Sequence, residues 1–162
     1  MCIRDRSRTL PYLSELQPEF FVEVSPELAE LRGLTNGEFA TLISARTAIE
    51  AKVLVTERMR PITLKGGQVV HQIGMPYHWS YAGLSTGDNA NDLLGIVLDP
   101  NTHIQESKVS TCDIQPGRRP RGPELLEYVE AHRRRAGVES GKVGVNGRAP
   151  VESSTGEDQT GS

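Results

Sequence analysis

Apolar positions along most of this chain fall in short alternating runs rather than helical stripes. Ile49, Ala51, Val53 and Val55 alternate with Glu50, Lys52 and Leu54, the period-two spacing of a half-buried strand. Phe39–Ala45 reads as the strand before it, opened by the Asn36-Gly37 turn. Residues 7–22 read as extended and punctuated by Pro11 and Pro18, with Phe20, Phe21 and Val22 offering an earlier strand. Ile62–Leu64 and Gln68–Ile73 suggest two more, joined through Gly66-Gly67, and Lys108–Ile114 a last one. Ser25-Pro26-Glu27 is a helix start, with Ser at the N-cap and Pro at the first helical position; Gly33 is the matching stop. Asp88 or Asn89 caps a second short helix carrying Leu93, Leu94, Ile96 and Val97, stopped by Asp99-Pro100. The fold class expected is mainly β with short helices, arranged as a compact β-barrel. No long segment of helical period precedes residue 123, which excludes a helix bundle.

Beyond the strands the pattern changes twice. Pro116-Gly117-Arg118-Arg119-Pro120-Arg121 is expected to end the domain, which therefore covers residues 7–120. A surface helix follows within 121–137. Pro123 starts it, Glu124 sits in its first turn, Arg133–Arg135 in its last, and Gly137 just past its end. Residues 138–162 are Gly, Ser, Thr and charge with almost no large apolar side chain, and are expected to be disordered. The first six residues, MCIRDR, are what a common sequencing-library transposon end encodes when read in frame. Residues 1–6 are accordingly expected to be non-native, and the chain to be a C-terminal fragment. Cys112 is then the one native cysteine, too few for a disulfide framework or a cysteine metal site.

Composition narrows the function classes. The chain has 162 residues, 36% of them apolar, and a net charge of −3, so it can bury one core and carries no global field toward nucleic acid or an anionic membrane. No apolar run approaches the ~20 residues that span a bilayer. The arginines at 118, 119, 121 and 133–135 form a basic patch, but Glu124, Glu127 and Glu130 interleave with it and no aromatic stacking platform accompanies it. A solvated helix face describes it better than a nucleic-acid surface.

The chemistry concentrates between Met75 and Lys108, where aromatic, amide, glycine and cationic residues share a turn-rich segment suited to a polar ligand. Asn91 carries donors and acceptors that match a heterocycle edge; helix capping is its alternative use. Lys108 offers a point charge to a phosphate or stands as a solvated strand lysine. Ser85-Thr86-Gly87-Asp88 before a short helix could present backbone N–H groups to an anion, or be a capped turn. It lacks the lysine of a phosphate loop and any G-x-G-x-x-G spacing. His71 and His78 are too few for a metal site, and no Ser/His/Asp or Cys/His arrangement stands out. No catalytic or metal-ligating residue is assigned.

The segments G-M-P-Y-H-W-S-Y-A-G-L-S-T-G-D-N-A-N-D-L (74–93) and D-P-N-T-H-I-Q-E-S-K (99–108) resemble the end of the formate dehydrogenase major (alpha) subunit, in the molybdopterin oxidoreductase superfamily. Upstream, Q-P-E-F-F-V-E-V-S-P-E-L-A (17–29), N-G-E (36–38) and S-A-R (44–46) are similar to the start of the same C-terminal domain. The resemblance implies a six-stranded double-psi β-barrel closing over molybdenum or tungsten bis(molybdopterin guanine dinucleotide). It implies that Asn91 and Lys108 bond the cofactor, that His78 and Trp79 lie against it, and that Gly87 and Arg8 belong to its loops. Ser80 and Thr47 stand where related chains often have Gly. The resemblance also implies partners: the N-terminal remainder of the same subunit, an iron–sulfur electron-transfer subunit, a membrane cytochrome subunit, and formate as substrate. Iron–sulfur clusters and the catalytic residues would lie upstream. A periplasmic membrane-associated complex is implied, with the cytoplasm as alternative.

Overall fold

Strand β3 (Ala48–Val55) runs through the centre of the computed structural model, which describes residues 7–77, 79–105 and 110–138. Around it a five-stranded sheet has the order β6-β1-β3-β2-β7, where β1 is Phe21–Val24, β2 Phe39–Ile43, β6 Ile73–Gly74 and β7 Asp113–Pro116. β1 and β3 are parallel, with Phe21 opposite Lys52 and Val24 opposite Val55. The other pairings are antiparallel, including Leu42 opposite Ile49 across β2 and β3, and Leu42 opposite Ile114 across β2 and β7. Strands β4 (Ile62–Thr63) and β5 (Val69–Val70) form a separate two-stranded ribbon. The mainly β class expected from the sequence is observed. Barrel closure is not seen among the described residues: the sheet is open, with β6 and β7 at its edges.

Helix α2 (Pro26–Arg32) forms where its capping residues place it. Ser25 Oγ accepts the Leu28 N–H at 3.1 Å, and Gly33 adopts the left-handed conformation, φ 64°. The Leu34 N–H then closes on the Ala29 carbonyl at 2.8 Å. Other expectations need correction. Residues 7–22 are not all extended: a 3-10 turn spans Ser7–Thr9 and helix α1 spans Pro11–Leu16. Pro11, read as punctuation, occupies the first turn of α1, and the Arg8 guanidinium bonds the carbonyls of Leu13 and Gln17 at its end. The last strand spans Asp113–Pro116, with the described residues 110–112 outside it, and as an edge strand it tolerates Pro116 at its end. The second short helix is a 3-10 turn, Ala90–Leu93, so Ile96 and Val97 stay exposed.

The sheet has two differently built faces. Ala40, Leu42, Ile49, Ala51 and Val53 join Val22, Leu28, Trp79 and Leu93 in the main apolar core. On the opposite face, Phe39, Thr41 and Ile43 of β2 lie against Lys52, Glu50 and Ala48 of β3. Here the alternation of β3 misleads, because Glu50 is only 7% exposed. The chain after β7 does not leave the fold but doubles back over this face. Thr41 Oγ1 donates to the Gly117 carbonyl at 2.9 Å, and Arg118 stacks on the Phe39 ring at 4.2 Å. Helix α3 (Pro123–Arg135) buries Val129 against Ile43 and Ala48, with Leu125 and Tyr128 packed beside it.

Candidate functional site

The loop between Met75 and Leu94 is fixed in two stages. In the first, Trp79 is 1% exposed and packs on Phe20 and Phe21, with ring centroids 5.8 and 6.0 Å away. Arg8, also buried, lies over the Trp79 ring at 4.5 Å and adds a cation–π attraction. Gly87 closes this cluster because nothing larger fits: a Cβ there would sit 2.9 Å from Phe20 Cβ and 3.2 Å from Trp79 Cδ1. The Leu84 N–H bonds the Arg8 carbonyl at 2.8 Å, and the Gly87 N–H bonds Ser80 O at 3.1 Å. Arg8, Trp79 and Gly87 thus come together, as one packing unit that sets the path of the loop.

In the second stage polar bonds take over. Asp88 Oδ2 accepts the Glu50 N–H at 2.8 Å and Arg119 Nε at 2.6 Å, while Oδ1 accepts Arg119 Nη2 at 3.0 Å. Burial by itself would raise the Asp88 pKa. The bonds from Arg119 and the Glu50 amide, with the charges of Arg119 and Arg121, outweigh it and hold the carboxyl below its ordinary value. Asn89 Oδ1 caps the 3-10 turn by accepting the Asn91 N–H at 2.9 Å. Ser44 Oγ donates to the Leu93 carbonyl at 2.8 Å, and Arg46 donates to the carbonyls of Asn91 and Leu94. The carbonyls of Asn91, Leu93 and Leu94 are thus tied to the β2–β3 connection, and the N–H groups of Asn91 and Asp92 to Asn89.

The side-chain amide of Asn91 is left over. It is half-buried and has no hydrogen-bond partner among the described residues. An amide held on a braced turn with donors and acceptor free is pre-organised for a planar polar ligand. Ser85 Oγ, buried in the same loop, likewise has no partner. His78 and Lys108 lie outside the described residues. Cys112 is not a nucleophile candidate, since burial and then the neighbouring Asp113 charge push its thiol up to about 11. Among the described residues no group of three or more His, Cys, Asp or Glu side chains is placed to hold a metal ion.

Sequence reasoning missed Glu50 and Arg119 as parts of this site. Glu50 Oε1 accepts from Arg118 Nη2 at 2.6 Å and Arg121 Nη2 at 2.8 Å, so these arginines are ion-paired to the sheet rather than forming a free basic patch. A single acidic residue in the middle of a mostly apolar strand, with a distant arginine run, was the available signal.

An open mixed sheet carrying a braced loop with an unpartnered amide defines a domain built to hold a polar ligand. Comparison with known proteins gives the family. Residues 4–111 match the model described as "Molydopterin dinucleotide binding domain", and the chain belongs to that family. It is 39% identical over 114 residues to formate dehydrogenase 2 subunit alpha (cytochrome c-553) of Nitratidesulfovibrio vulgaris, covering 70% of this chain and 11% of that protein. It is 44% identical over 110 residues to formate dehydrogenase subunit alpha of Megalodesulfovibrio gigas, covering 67% and 11%. A nitrate reductase of Klebsiella oxytoca matches at 31% over 109 residues, covering 67% and 11%. The chain spans about a tenth of the length of these relatives.

The donor set fits a molybdopterin dinucleotide. Asn91 offers the paired donor and acceptor that a pterin or guanine edge requires, and Ser85 offers a buried hydroxyl without a partner among the described residues.

Proposed function

We propose that this chain is the cofactor-positioning C-terminal part of a formate dehydrogenase that uses molybdenum or tungsten bis(molybdopterin guanine dinucleotide). The unpartnered Asn91 amide on its braced turn carries the proposal. Asn91 would bond a pterin or guanine edge, and Lys108 would meet a phosphate or the ring. His78 would lie against the cofactor, while Arg8, Trp79 and Gly87 act by holding the loop in place. On this reading the open sheet belongs to a six-stranded double-psi β-barrel spanning residues 7–120.

When bound, the metal–pterin group supplies the redox chemistry that converts formate to CO2. Iron–sulfur clusters elsewhere in the parent would be the acceptors of the electrons. This chain's own contribution is to bind and orient, with the catalytic residues in the N-terminal remainder of the subunit. An iron–sulfur subunit and a membrane cytochrome subunit would be further partners, in a periplasmic complex or, alternatively, a cytoplasmic one. The match to formate dehydrogenase alpha subunits at 39% and 44% identity favours this substrate. The 31% match to a nitrate reductase supports a second reading, the same domain in an enzyme of that type.

Replacing Asn91 by Ala in the parent enzyme tests the assignment. A lost pair of bonds of ~1.5 kcal/mol lowers cofactor affinity roughly tenfold, read as pterin fluorescence and metal content after dialysis. Lys108→Ala should weaken retention in the same direction. Full retention in both variants would overturn the site.

A further inference from the structure

The residues that bond the Asn91 turn directly lie inside the family match, but the arginines that hold them in turn lie outside it. That match ends at residue 111, yet Arg118, Arg119, Arg121 and Arg133 all lie beyond it. They hold the neighbours of the turn from two sides. On one side, Arg119 grips both oxygens of Asp88, the residue just before the Asn89 cap. The same carboxylate takes the Glu50 N–H, and the Glu50 side chain takes Arg118 and Arg121. On the other side, Arg133 Nε of α3 donates to the Ala45 carbonyl at 2.6 Å. Ala45 sits between Ser44 and Arg46, which hold the carbonyls of Asn91, Leu93 and Leu94. A groove of about 330 Å3 between the two arms is lined by Arg46, Thr47, Asp88, Asp92, Arg119 and Leu125, among others.

We propose that the segment from Pro116 to Arg135 is a clamp that positions the Asn91 turn, with Arg119 acting through Asp88 and Arg133 acting through the Ser44–Arg46 connection. Arg119 and Arg133 are positioning residues: they set where the Asn91 amide stands without touching a ligand. The geometry supports this over simple surface pairing. Arg119 and Asp88 keep only 17% and 20% of their side-chain surface exposed, and the Arg119 fork uses both carboxylate oxygens. The clamp deepens the proposed cofactor site, and its relevance to the cofactor rests on that reading; the mechanical coupling itself does not.

Amide hydrogen exchange on the full chain tests the coupling without any cofactor. The Asp92 and Leu94 amides bond Asn89 O and Asn91 O at 3.0 and 3.1 Å and report directly on the turn. In Arg119→Ala and in Arg133→Ala they should exchange about tenfold faster, while Val53 and Leu42 in the sheet keep their protection. Arg119→Lys, which restores the charge but not the two-pronged bond, should fall between Arg119→Ala and the parent. Unchanged exchange at Asp92 and Leu94, or equal acceleration throughout the sheet, would overturn the clamp. If Arg119→Ala proves globally unfolded by circular dichroism, Arg119→Lys and Arg133→Lys carry the same comparison. Pterin and metal content in the parent enzyme separates the two claims. Loss of cofactor in Asn91→Ala with undisturbed exchange in the arginine variants rejects the clamp alone. Faster exchange in those variants, with full cofactor retention in Asn91→Ala, rejects the cofactor reading alone.

Discussion

The two faces of the central sheet are held by different physics. On one, Leu42, Ile49, Ala51 and Val53 meet Leu28, Trp79 and Leu93, and stabilisation comes from apolar area removed from water. On the other, Phe39, Thr41 and Glu50 are covered by Arg118, Gly117 and Arg121 through a cation–π contact, a hydrogen bond and an ion pair. The first face supplies most of the fold's stability. The second supplies direction, because charge-assisted bonds tolerate only a narrow geometry. The Met75–Leu94 loop touches both: Trp79 roots it in the apolar core, and Asp88 fastens it to the polar side.

Disturbing the apolar root should have the largest effect on stability. Trp79→Ala removes the ring that Phe20, Phe21 and Arg8 pack on, and should cost about 3–5 kcal/mol in chemical denaturation. Gly87→Ala forces a methyl group to within 2.9 Å of Phe20 Cβ and should cost roughly 1–3 kcal/mol by overpacking. On the polar face, Glu50→Ala should cost about 2 kcal/mol. The buried carboxylate holds two arginines, but both are more than half exposed and solvent screens them.

Acid should separate the faces. The Asp88 carboxyl is held below its ordinary 3.8, so its contribution is complete above that value and is lost as pH falls through the depressed folded value. In that window the unfolded chain binds more protons, and stability rises with pH. Asp88→Asn should flatten this part of the stability–pH curve, whereas Trp79→Ala should lower the whole curve without changing that slope. An identical slope in Asp88→Asn would count against the polar fastening.

These differences also explain what the sequence disclosed. Helix α2 was legible because Ser25, Pro26 and Gly33 act locally, and β2 and β3 because their odd–even pattern matches the apolar face. Helix α1 was not, since its N-cap side chain makes no bond and its C-terminal carbonyls are held in part by Arg8 from the preceding turn. The burial of Glu50 was hidden for the same reason on a larger scale: its partners lie at 118 and 121, in a stretch whose proline and glycine read as the end of the domain. At the site, residue type and motif single out Asn91, and its role stays a proposal. That Arg8, Trp79 and Gly87 form one packed cluster required the fold, because Phe20 joins them from another part of the chain.

Asn91→Ala should have the smallest effect on stability, within about 0.5 kcal/mol, because its amide bonds nothing among the described residues. That makes it the most direct test of the central claim. In the parent enzyme, pterin and metal content measured alongside the melting temperature of the cofactor-free protein should show cofactor retention falling roughly tenfold with melting unchanged. Retention equal to that of the parent would contradict the account, leaving the turn braced for something other than a molybdopterin dinucleotide.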